Sequence, residues 1–297
     1  MHGLDVVHAN PAFRGRETAL RADFVCGHGL LRQVGYGQRM PRALVTGATA
    51  GIGAAFARRL AADGFDLVAV ARDEARLQQL ADEQQRLTGR RVEVLAADLS
   101  TDDGCERVEA RLREGGIDLL VNNAGFGANG ALHEIDMAVE EAMLRVNVRA
   151  VMRLCAAVLP SMVAAGAGGI VNVSSFAGFV PSAGAATYAA GKAYVTALSE
   201  GLAVQYGRFG VKVTAVCPGF THTEFHARSG SDMQGIPERL WLSPEQVVDA
   251  ALADLHRGRP VSIPGGVYKG LASMTRVLPR TALLAAGRRA GSRRGRP

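Results

Sequence analysis

Thr46-Gly-Ala-Thr-Ala-Gly-Ile-Gly53 joins a short apolar run, Arg42-Ala-Leu-Val-Thr46, to a stretch with helical apolar spacing, Gly51 to Leu60. A buried strand that turns through glycine into a helix opens a βαβ unit. Glycines at 47, 51 and 53 let the backbone approach a pyrophosphate, whose charge sits at the helix N-terminus. The spacing is G-x-x-x-G-x-G, not the commoner G-x-G-x-x-G. A glycine turn alone is weak evidence, because many serve structure only. Its place between strand and helix, at the head of an alternating series, gives it weight.

Outward from that turn, apolar runs rich in Val, Ile and Leu fall at 66–71, 92–96, 117–121, 169–173 and 211–217. Helical stretches separate them, at about 73–88, 102–114, 136–165 and 187–207. Continuous apolar strands, each followed by a helix, predict a parallel sheet covered on both faces. Right-handed crossovers make it a Rossmann-type, doubly wound α/β fold in a single domain. Ser243-Pro244-Glu245 starts a further helix to about His256, with a hydroxyl cap, a first-position proline and an acid in the first turn. Val261–Ile263 adds a last strand, and Pro264-Gly265-Gly266 is expected to end regular structure.

Composition bounds the function. No apolar run reaches the roughly 18 residues that span a bilayer, and Met1–Ala12 lacks the pattern of a secretory signal. Four dispersed cysteines without a C-x-x-C pair suggest free thiols and a cytoplasmic setting. No histidine spacing suggests a metal. Of the formal net charge of +6, Lys269–Pro297 contributes eight basic residues and no acid. The body is therefore net acidic, which argues against nucleic acid as a partner. The chain divides into 1–39, a disordered extension or an artefact of the assigned start with Met40 the true initiator; 40–268, the catalytic domain; and 269–297, a basic, partly disordered tail. The tail mixes arginines with Leu271, Met274, Leu278 and Leu284, so contact with a membrane surface or an acidic acyl carrier is weighed against simple solvation.

Tyr188-Ala-Ala-Gly-Lys192 places a phenol and an ammonium one helical turn apart on one face. A nearby cation favours phenolate, so Lys192 is expected to lower the Tyr188 pKa. Lysine is scarce here, at 192, 212 and 269 only, so Lys192 stands where arginine is the usual choice. Ser175, thirteen residues before Tyr188 at the end of the fifth strand, can hold a substrate oxygen while Tyr188 exchanges the proton. Cofactor choice is written after the second strand, where an acid would bind the ribose 2′-OH of NAD. Ala71-Arg72 stands there, and an arginine can pair a 2′-phosphate, which favours NADP over NAD. Asp73 next door pulls the other way.

From about Pro41 to Gly265 these motifs resemble the short-chain dehydrogenase/reductase family. The resemblance implies carbonyl–alcohol interconversion with a nicotinamide cofactor. It assigns Ser175, Tyr188, Lys192 and Asn147 of Val146-Asn-Val148 to catalysis, Asn147 through a water in a proton relay to the lysine. It implies cofactor contacts at Gly47, Gly51, Ile52, Gly53, Asp98, Asn123, Thr221 and Thr223, as well as Tyr188 and Lys192. The segment after Thr223 becomes a lid, with Phe225, Met233, Ile236, Leu240 and Trp241 as apolar walls or as pins to the core, and His226 and Arg228 as polar candidates. The Pro218–His226 run is similar to a bacterial branch near long-chain 3-oxoacyl reductases, implying a hydrophobic ketone. A homodimer or homotetramer through the long helices is also implied. Rival readings are a cofactor-sensing regulator, a nucleotide-sugar epimerase and a membrane or scaffold adaptor.

Overall fold

The computed structural model describes residues 40–292 apart from 182–183, 226–228, 230–232 and 234. Strands β1 (Arg42–Thr46), β2 (Asp66–Ala71), β3 (Val92–Ala96), β4 (Leu119–Asn122), β5 (Gly168–Val173), β6 (Val211–Val216) and β7 (Val261–Ser262) form one parallel sheet. Their order is β3-β2-β1-β4-β5-β6-β7. The order reverses between β1 and β4, where a doubly wound sheet opens its binding crevice. The Rossmann-type α/β fold read from the alternating runs is the fold observed.

Strand alternation divides the core in two, because successive side chains point to opposite faces. Val45, Leu67, Ala69 and Val121 meet Phe56 and Leu60 of α1 (Gly51–Ala62) and Val247 and Leu252 of α7 (Pro244–His256). Leucines 77 and 80 of α2 (Glu74–Thr88) join that face. Leu44, Val68, Val70 and Leu120 meet Val108 and Leu112 of α3 (Asp102–Arg113), Leu154 and Val158 of α5 (Val151–Ala165) and Val195 of α6 (Ala186–Tyr206). Truncating one fully buried leucine here, such as Leu60 or Leu112, costs about 2–5 kcal/mol.

The stretch expected as one helix over 136–165 is a rod of α4 (Met137–Leu144), a π-helical turn (Arg145–Ala150) and α5. By length and composition this rod could cross a membrane, although Glu140, Glu141, Arg145, Arg149 and Arg153 break its apolar run. It is a core helix, with Leu154, Cys155, Val158, Leu159 and Met162 buried.

Regular structure does not end at Pro264–Gly266. The chain continues into α8 (Gly266–Val277) and α9 (Arg280–Ser292). Tyr268 and Ala272, one turn apart, are buried, and the Tyr268 ring lies 5.3 Å from that of Phe176. A tertiary contact thus holds a helix that starts directly after the Pro264-Gly265-Gly266 stop signal. Leu278, ahead of Pro279, is extended and separates the two helices.

Candidate active site

The site gathers at the C-terminal ends of β1, β2, β4, β5 and β6. Gly47 and Gly51 have φ of 66° and 52°, a region that favours glycine. A Cβ on Gly53 would lie 2.1 Å from the Gly47 carbonyl oxygen, so only glycine fits. Ile52, half-buried, begins α1 beside them. Asp73, Thr101, Asp136 and Ser243 cap α2, α3, α4 and α7 with their side chains. By contrast α1 follows Ala50 with no side-chain cap and no acid in its first turn. Its leading amides and dipole suit an anion, so the turn fits a dinucleotide pyrophosphate.

Asn123 braces this turn from behind. Its Nδ2 donates to the carbonyl oxygens of Thr46 (2.9 Å) and Gly47 (3.3 Å). Thr46 Oγ1 in turn accepts from the amides of Asn123 (2.9 Å) and Ala124 (3.0 Å). These bonds give Asn123 a positioning role in the turn, its amide protons being engaged by backbone. Thr46, buried and unremarked in the sequence, is its partner.

At the adenosine side, the amides of Gly47 and Ala48 both donate to Val70 O, which ties the end of β2 to the glycine turn. Arg72 follows, exposed, and among the described residues it holds no ion pair. Asp73 is turned away to cap α2, accepting from the Arg76 amide at 3.0 Å. Asp98 closes a local turn, its Oδ1 accepting from the Ser100 amide (2.9 Å) and hydroxyl (2.7 Å). Thr221 is buried and donates to Gly219 O. Thr223 packs on the glycine turn, where a Cβ on Gly51 would meet its methyl at 2.9 Å.

The structure brings the four expected catalytic residues to one place. Ser175 ends the β5 segment and accepts from the Ala177 amide at 3.1 Å. Its hydroxyl also lies near enough to the Tyr188 phenol to favour the phenolate. Lys192 Nζ lies 5.7 Å from the centre of the Tyr188 ring and donates to Val173 O at 2.8 Å. Asn147, carried by the π-helical turn, accepts from the Phe126 amide (3.1 Å) and donates to Phe126 O (2.8 Å). A Cβ on Gly125 would meet both Asn147 Oδ1 (2.8 Å) and Lys192 Nζ (3.6 Å), so these two groups flank one small space.

Electrostatics correct one expectation. Burial pushes the Tyr188 phenol up to about 12, opposed only by the nearby Ser175 hydroxyl. The lowering anticipated from Lys192 does not offset it, and burial also brings that ammonium down to about 8.

A polar network behind the pair escaped sequence reading. Ser174 Oγ donates to Lys192 O (2.7 Å) and pairs with Thr196 Oγ1 (2.8 Å). Asn122 donates to Asn172 (2.9 Å), which donates to Ser199 (2.9 Å). All are buried, and they lock α6 against β4 and β5. Polar residues in otherwise apolar strands were the available signal.

The lid walls sort into two roles. Phe225 lies 5.7 Å from the Tyr188 ring and faces the reacting end. Trp241 instead stacks on His222 (4.6 Å) and packs on Phe220 (5.8 Å), pinning the lid base. Leu240 joins that base, its carbonyl accepting from the Tyr268 hydroxyl at 2.7 Å. Met233 and Ile236 are half-buried, whereas His226 and Arg228 lie outside the described residues.

Fold and site together define a nicotinamide-dependent oxidoreductase. The sequence model of the short chain dehydrogenase family matches residues 41–234, and the chain belongs to that family. It is similar to a short-chain dehydrogenase from Sphingobium yanoikuyae solved in complex with NADPH, at 40% identity and a TM-score of 0.74, over 80% of this chain and 93% of that one. It also matches a bulky-bulky ketone specific alcohol dehydrogenase from Comamonas testosteroni, at 36% identity and a TM-score of 0.71, over 82% and 94%. A very-long-chain 3-oxoacyl-CoA reductase-like protein of Arabidopsis thaliana is 36% identical, over 73% of this chain and 70% of its own. The chain is an NAD(P)-dependent short-chain dehydrogenase/reductase that interconverts carbonyl and alcohol.

Proposed function

We propose that the enzyme reduces a hydrophobic ketone with NADPH, Tyr188 giving the proton to the carbonyl oxygen. The observation that carries this reading is the convergence of Ser175, Tyr188 and Lys192, with the ammonium 5.7 Å from the centre of the Tyr188 ring. When bound, the cofactor supplies the hydride. Ser175 holds the substrate oxygen. Tyr188, whose pKa burial raises to about 12, is protonated at neutral pH and can give its proton to the carbonyl oxygen. Lys192 spends one donor on Val173 O and has others for the nicotinamide ribose. Asn147, fixed by Phe126 next to Lys192, orients a water that relays protons to the ammonium.

Two observations support NADPH over NADH: Arg72 stands exposed at the end of β2, and Asp73 is committed to its helix cap. Phe225 over Tyr188 supports an apolar substrate. A 3-oxoacyl thioester is the class favoured, in keeping with the name of the Arabidopsis relative. The working form is a homodimer or homotetramer through α4–α5 and α6, where Leu144, Met152, Tyr194 and Val204 are exposed. NADPH oxidation against a carbonyl panel tests the reading. Tyr188→Phe should lose turnover by about 10²–10⁴-fold and keep NADPH binding. Near-normal turnover in that variant, or activity confined to small sugars, overturns it.

A further inference from the structure

Helix α8 has two apolar faces, and the fold uses only one. Tyr268 and Ala272 face inward and are buried. Val267, Leu271 and Met274, at i, i+4 and i+7, share a second stripe, and Leu278 follows it just past the helix end. These four side chains are 40–52% exposed, and Val277 beside them is 81% exposed. On α9, Arg280, Leu284 and Arg288 form an exposed row at i, i+4 and i+8. Among the described residues Lys269, Arg280 and Arg288 hold no ion pair. No acid occurs anywhere from Lys269 to Pro297, against eight basic residues.

We propose that α8 and α9 dock the enzyme on an anionic lipid surface. An interfacial helix needs an apolar stripe for the acyl boundary and cations for the headgroups, and this pair supplies both. An acidic carrier protein would engage the arginines but leave the apolar stripe without a partner. The docking element is also tied to the site. Tyr268 accepts from the Phe220 amide (3.0 Å) and donates to Leu240 O (2.7 Å), holding both ends of the lid. A Cβ on Gly287 of α9 would lie 2.7 Å from Pro181 O, in the loop between Ser175 and Tyr188. The surface thus lies at the substrate end of the cleft. That a lipid-soluble ketone enters from the bilayer rests on the function proposed above; the docking does not.

Co-sedimentation of the full chain with vesicles tests it, using phosphatidylcholine alone and phosphatidylcholine mixed with phosphatidylglycerol. The chain should pellet with the anionic vesicles, and added salt should release it. Leu271→Glu/Met274→Glu and Arg280→Gln/Arg288→Gln should each weaken binding about tenfold or more, with NADPH oxidation in solution unchanged. Failure of the unaltered chain to pellet with anionic vesicles overturns the proposal, as does equal binding to neutral ones. So does a change from oligomer to monomer in the Leu271→Glu/Met274→Glu chain with vesicle binding intact, which would assign the stripe to a second copy. Loss of turnover with vesicle binding retained bears on the proposed function alone.

Discussion

Lys192→Met separates what the ammonium does for the reaction from what it does to the fold. Burial moves Lys192 from its ordinary 10.5 to about 8. At 1.36 kcal/mol per pH unit this is about 3 kcal/mol against the folded state at pH 7. Methionine fills a similar volume without charge but loses the charge-assisted bond to Val173 O, worth about 1.5 kcal/mol. The net expectation is a gain of about 2 kcal/mol at neutral pH, or roughly 4–8 °C in Tm for a domain of this size, with turnover lost. The sign varies with pH. Between about 8 and 10.5 the unfolded chain holds the lysine proton and the folded chain does not, so native stability from this group rises with pH. Above that window the penalty is gone, and the advantage of the variant should vanish with it. Urea unfolding of both cofactor-free proteins across this pH range is the assay. A gap that stays constant with pH, or a variant less stable than the native chain at pH 7, would refute the reasoning.

Arg72→Ala should lower kcat/KM with NADPH about tenfold or more while leaving the NADH value nearly unchanged; steady-state kinetics with both cofactors decide it, and an NADPH preference that survives removes Arg72 from its role. Gly53→Val forces a side chain into the Gly47 carbonyl oxygen, so NADPH affinity by fluorescence titration should fall at least about tenfold, or 1.4 kcal/mol. Tyr268→Phe strips partners from the Phe220 amide and Leu240 O. It should cost about 2 kcal/mol in thermal unfolding and raise KM for the carbonyl substrate more than it lowers kcat.

What was legible in the sequence is what repeats locally. The strand β1, the glycine turn and α1 followed from a few residues, because an apolar run, a positive-φ turn and helical spacing each leave their own pattern. The cap at Ser243 did too, and it forms a full capping box with Gln246. The π-helical turn at Arg145–Ala150 left no such pattern, since one extra backbone residue per turn does not change composition. Helix α8 was hidden for a different reason. Its outer residues Val267, Leu271 and Met274 have helical spacing, but Pro264-Gly265-Gly266 ahead of them reads as a stop, and Tyr268 gains meaning only against Gly219, where a Cβ would lie 1.9 Å from its ring. Asn123 is expected at the cofactor from its motif alone, whereas its hold on the glycine turn depends on carbonyl directions that sequence does not carry.

The expected direction for Tyr188 failed for a physical reason that bears on how the pair works. Sequence spacing placed a cation near a phenol and implied mutual stabilisation of the charged forms. Burial opposes both charges, driving the phenol up to about 12 and the ammonium down to about 8. In the cofactor-free enzyme the pair therefore favours a neutral phenol, while Lys192 is still mostly charged at pH 7. That state suits a proton donor awaiting a carbonyl oxygen. Holding Lys192 charged in so dry a place requires fixed partners, and the Val173 carbonyl supplies one while Ser174 and Thr196 hold the backbone that carries it. The polar network behind α6 is thus the structural condition for a buried lysine one turn from a protonated tyrosine.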